Sequence, residues 1–209
     1  MDFRINVRCR VLFLVSCLLA LVVAATHAQG ADKPPQSGDG AAQGQNIPTN
    51  NPERLVTRML EAMRSDNWPV VATLLHPEAL ASFHRIVTSF IAADVTGVAG
   101  KHFLQLKDAE SVAALTPEVV FARCMGSMTT MVPSMNEMFQ SSSTAILGSV
   151  AEGDMVHVVY RLTMTLEGAP LSKVMVLTAK RHDSEWRSLL TADMDAVVAR
   201  LGRRSSTPK

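Results

Sequence analysis

Disulfide bonds are out of reach of the mature form of this chain, because of its three cysteines Cys9 and Cys17 lie in the N-terminal segment expected to be removed and only Cys124 lies beyond it. An exported domain without a disulfide is held by its core alone, a pattern that fits a bacterial periplasm or envelope better than a eukaryotic extracellular module. An excess of one charge is missing too. Without the first 28 residues, which carry three arginines and one aspartate, the chain has 17 basic against 18 acidic side chains. That balance leaves no electrostatic footprint for nucleic acid or an anionic membrane. There is no glycine-rich phosphate loop and no GxSxG elbow, which removes the signatures of nucleotide hydrolysis and of the α/β-hydrolases. Histidines 76, 84, 102, 157 and 182 show neither HxxxH nor HxH spacing, so a zinc site has little support and no cofactor is implied.

What is present begins with Arg4, Arg8 and Arg10, followed by an unbroken apolar run from Val11 to Ala25 and then Thr26-His27-Ala28. This is the form of a secretory signal, residues 1–28, with cleavage expected after Ala28 and export to a bacterial periplasm or cell envelope. The run is short for a membrane span, which needs about 20 apolar residues, so no stable membrane anchor is expected. Leu14-Val15-Ser16-Cys17 resembles a lipobox, the alternative reading, but apolar residues continue well past Cys17. Residues 29–50 hold almost no large apolar side chain and read as a disordered linker. The folded part is expected at 51–202, a single domain, with a disordered tail at 203–209.

Asn51-Pro52-Glu53 combines a cap, a first-turn proline and an acid, and opens an amphipathic helix carrying Leu55, Val56, Met59, Leu60 and Met63 on one face. Pro69 opens a short turn through Leu75. His76-Pro77-Glu78 starts a further helix, with Leu80, Phe83, Val87, Phe90 and Ile91 on a stripe, expected to end near Gly97 to Gly100. Thr116-Pro117-Glu118 starts another, which Pro133 divides. After Ser143 the period changes to two, giving strands at Thr144 to Val150, Met155 to Leu166, Lys173 to Arg181 and Trp186 to Leu190. Turn residues join them into an antiparallel meander, and Ala192 to Leu201 reads as a closing helix. The fold class is therefore α+β, with N-terminal helices packed on a curved antiparallel sheet.

The run from Leu60-Glu61-Ala62-Met63 through Ser65-Asp66-Asn67-Trp68 to Leu74-Leu75-His76-Pro77-Glu78 resembles the opening helices of the nuclear transport factor two-like superfamily, also called SnoaL-like. Ile146-Leu147-Gly148, Glu152-Gly153-Asp154, Val158-Val159-Tyr160-Arg161 and Trp186-Arg187-Ser188-Leu189-Leu190 resemble its long strands. The resemblance implies a cone-like α+β fold with a small apolar pocket between sheet and helices. It implies no reaction, since members include isomerases, dehydratases, hydrolases and many non-catalytic modules.

Two-residue loops at Gly153-Asp154 and Gly168-Ala169 would set Tyr160 opposite Leu147 and Leu177, and Leu162 opposite Ala145 and Met175, on the face toward the helices. The other face then carries His157, Val159, Arg161 and Thr163 beside Val150, Gly148, Ile146, Val176 and Thr178. Both faces are apolar enough to be covered. A homodimer through the second face is expected, with His157 and Arg161 near its rim. Tyr160, the only tyrosine, matches the phenol donor of the isomerase-like members, so Tyr160, His157 and Arg161 are the candidate ligand-binding residues; no catalytic residue is assigned. The leading expectation is an exported, non-catalytic binding or interaction domain. The alternatives are an enzyme using the pocket, or a periplasmic Cu(I) binder in which Met125, Met128, Met131, Met135 and Met138 form a sulfur stripe with Cys124. Packing is the simpler use of such a stripe.

Overall fold

The computed structural model describes residues 51–92, 94, 97–106, 111–166 and 168–190, all within one compact unit spanning Asn50–Lys209. The segments expected to be signal, linker, closing helix and tail lie outside the described residues.

Four local signals set the helices. Asn51 accepts from the Glu53 backbone N–H at 2.9 Å and opens α1, Pro52–Arg64. Asn67 caps α2, Trp68–Leu74, in the same manner. His76 precedes α3, Pro77–Ala92, and Thr116 caps α5, Pro117–Met131, after the short α4, Val98–Leu104. Each cap satisfies a donor that the first turn leaves unpaired. Pro133 does split the methionine-rich segment, and α6 runs Pro133–Ser141. The glycines after α3 act differently from expectation: the helix stops at Ala92, and Gly97, with φ 66, opens α4.

The strands β1 (Ser143–Glu152), β2 (Met155–Leu166), β3 (Ala169–His182) and β4 (Glu185–Ser188) form an antiparallel sheet in the order β1-β2-β3-β4. Leu75 adds a parallel bridge to Ser188 at the β4 edge. The fold is thus α+β with an open antiparallel sheet of four strands. One core joins helix and sheet, built from Leu55 and Val56 of α1, Leu74 of α2, Val156 and Val158 of β2, and Leu177 and Ala179 of β3. A second apolar layer lies among the helices, where α5 packs on α2, α3 and α4. Phe83 and Phe121 meet edge to face there at 5.1 Å, a geometry that sets the positive ring edge against the negative face.

Two details of register depart from expectation. A bulge between Ile146 and Gly148 pairs Tyr160 with Ile146 instead of Leu147, because one residue of β1 is left unpaired. Ile146 therefore packs against the helix-facing core, and Leu147 is left 51 % exposed. The β2–β3 turn also sits earlier, with Leu166 paired to Ala169 and Gly168 in the left-handed region at φ 77. Tyr160 consequently faces Met175, and Leu162 faces Thr144 and Lys173. A shift of two residues preserves side-chain parity. Tyr160 and Leu162 hence stay on the helix side.

Candidate functional site

The outer face of the sheet is built from alternate residues of three strands. Parity sends Val150 and Glu152 of β1, His157, Val159 and Arg161 of β2, and Val174, Val176 and Thr178 of β3 away from the helices. Among these, Val150 is 62 % exposed, Val174 51 % and Val176 49 %. Together with Leu147 they make an apolar surface of the kind that marks a contact site when contiguous.

A polar series crosses one end of this surface. His157 Nε2 lies 2.7 Å from Glu152 Oε2, and His157 Nδ1 lies 3.0 Å from Thr178 Oγ1. An ionised carboxylate only accepts, so Nε2 carries the proton; in the neutral ring Nδ1 then accepts from the Thr178 hydroxyl. Carboxylate, imidazole and hydroxyl stand in the order used to activate a nucleophile. The rest of an acyl-transfer site is harder to place here. Strand β2 is paired on both sides from Met155 to Thr163, whereas β4 covers β3 only from Ala179 to His182, so the ladder beside His157 consumes backbone N–H groups that would otherwise stabilise an oxyanion.

The three candidate ligand residues do not converge. His157 and Arg161 share the outer face, with Arg161 between Ala145 and Val174. Tyr160 lies on the opposite face among Ile146, Met175 and the core, and burial holds its phenol above the ordinary 10.0. The methionine stripe is core: Met125, Met128, Met135 and Met138 are buried, as is Cys124, whose thiol burial pushes up to about 12. Met131 is exposed, since Pro133 turns the chain between it and Met135. Among the described residues, no cluster of three or more His, Cys, Asp or Glu side chains could hold a metal ion. No described helix is long and apolar enough to cross a membrane.

A second polar group was not legible in the chain. His76 and His182 stand edge to face at 5.4 Å, where the segment after α2 meets the β4 edge. The His76 N–H donates to the Ser188 carbonyl at 2.8 Å, and its ring Nδ1 accepts from the Glu78 N–H at 3.2 Å, capping α3. Lys180 reaches Glu78 at 3.2 Å and Asp154 at 3.9 Å beside it. Burial, the largest influence, lowers the His76 pKa below 6.5; Glu78 and the Arg181 backbone oppose it, while Lys180 and His182 act with it.

A lowered pKa means that the fold prefers the neutral ring, so His76 contributes stability in full above about pH 6.5 and loses it as pH falls through the folded value. Protonation also removes the Nδ1 acceptor and hence the cap. His76→Asn, which caps without titrating, should flatten the fall in urea midpoint between about pH 7.5 and about pH 5.5. Equal slopes in the two proteins would refute this role.

Comparison of the chain with known protein families, with characterised proteins and with solved structures found no match. The geometry above therefore carries the functional reading.

Proposed function

We propose that this is an exported, non-catalytic binding domain that self-associates through the outer face of its sheet, in the manner of a nuclear transport factor two-like module. The observation that carries the reading is the apolar surface of Leu147, Val150, Val174 and Val176, each at least 49 % exposed. Helices leading into a four-strand antiparallel meander agree with that superfamily, whose cone would place Tyr160 toward an apolar pocket. The N-terminal arginines and apolar run support export.

The test is the oligomeric state. Light scattering on the protein purified from an exporting host should return a dimer at micromolar concentration, and Val159→Lys should return a monomer. Val159 lies between Gly148 and Val176 at the middle of the face, where a buried unpaired ammonium is costly. Circular dichroism of the variant should match the parent, because the substitution points away from the core. A monomeric parent would end the self-association reading.

One observation favours a second reading. The Glu152–His157–Thr178 series is the arrangement that a hydrolytic enzyme would use. Under that reading, esterase activity on a small acyl ester would be lost in Thr178→Val and His157→Gln alike.

A further inference from the structure

We infer that the second copy docks with its strands antiparallel to those of the first, and that an ion pair between Arg161 and the partner's Glu152 selects this orientation. The inference rests on the proposed self-association and adds the geometry of the contact.

The outer face has an apolar middle and opposite charges at its two ends. Glu152 pairs with Met155 at the start of β2, whereas Arg161 stands six residues further along that strand, a separation of about 20 Å at the usual strand rise. Val150, Val159 and Val176 lie between these levels. Arg161 is exposed, beside Ala145 and Val174, and makes no ion pair among the described residues. The cations at the Glu152 end are already engaged. Lys180 is held by Glu78 at 3.2 Å and Asp154 at 3.9 Å, and Arg187 by Glu185 at 3.0 Å and by the Thr73 carbonyl. Among the described residues Glu152 meets His157 at 2.7 Å, and its side chain is otherwise largely exposed.

A symmetric face-to-face dimer has its two-fold axis in the plane of contact, and the two limiting orientations set that axis along the strands or across them. An axis along the strands sets Arg161 beside the partner's Arg161 and Glu152 beside the partner's Glu152. An axis across the strands, near the level of Val158, brings Arg161 to the level of the partner's Glu152, and does so twice. Charges at the rim of a contact contribute little affinity but penalise wrong registers, which is the role assigned to this pair.

Charge reversal tests it. Arg161→Glu and Glu152→Arg, each in the full chain, should stay folded by circular dichroism and dimerise on the order of tenfold more weakly than the parent. Mixed one to one, the two variants should form a heterodimer, since one copy then offers only carboxylates and the other only guanidinium groups at both rims. The double variant should recover the homodimer. If the two single variants dimerise as tightly as the parent while Val159→Lys dissociates, the sheet contact stands and the antiparallel orientation falls. A mixture that gains nothing over the single variants overturns the ion pair as well. A monomeric parent would remove the contact altogether.

Discussion

Trp68→Ala should cost the domain about 3–5 kcal/mol, the usual loss for a large aromatic removed from a core. Trp68 is 2 % exposed and its ring meets Phe139 edge to face at 5.5 Å, joining α2 to α6. Its indole N–H donates to Asp66 Oδ1, which also accepts from the Thr129 hydroxyl of α5 at 3.1 Å. Trp68 and Asp66 thus together tie the break after α1 and the start of α2 to two later helices. Asp66 sits in the left-handed region at φ 52, a conformation that costs a non-glycine residue on the order of 1 kcal/mol and is held in place by these bonds. Trp68→Phe keeps much of the apolar volume but removes the donor, so it should cost less than alanine. Denaturant unfolding measures both. A loss below about 1 kcal/mol for Trp68→Ala would show that the helical layer does not depend on this ring.

The Trp68 corner also shows which parts of the fold can be read from the chain. Asn51-Pro52 and Thr116-Pro117 announce helix starts because a cap is a local event, settled within three residues by one side chain and one backbone N–H. Strand parity is similarly local, and it places Tyr160 inside and His157 outside. The bulge at Leu147 is not local. Ile146, Leu147 and Gly148 read as an uninterrupted strand, and which of Ile146 and Leu147 faces the core depends on how β2 pairs beside them. The glycines near 97 illustrate the same limit, since glycine serves a helix start or a helix stop equally well once the backbone turns left-handed. Contacts between remote segments are further still from view. Nothing near His76 in the chain indicates that His182 and Lys180 will face it, because that meeting requires the bridge between Leu75 and Ser188 at the sheet edge. The Glu152–His157–Thr178 series is intermediate: its first pair spans a hairpin turn, but the third member depends on the β2–β3 register, which pairs His157 with Thr178.

Adjacent valines of β2 should respond in opposite ways to the same replacement. Val158 is fully buried on the helix side, between Ser149 and Leu177 and within the cluster that includes Leu55 and Val56. Val158→Lys forces an ammonium into that cluster or breaks the packing around it, and should cost at least about 4 kcal/mol. For a domain whose whole stability is about 5–15 kcal/mol, that loss leaves a substantially unfolded or aggregated protein at moderate temperature. Val159→Lys points the other way and should change monomer stability by no more than about 0.5 kcal/mol while abolishing association. The two variants differ by one position, so composition, charge and local strand propensity are matched, and only the face of the sheet distinguishes them. Thermal unfolding followed by circular dichroism, read beside light scattering, separates the outcomes. Loss of fold in Val159→Lys would mean that the outer face is covered within the chain itself, and a stable Val158→Lys would contradict the assignment of the helix-facing side as the core.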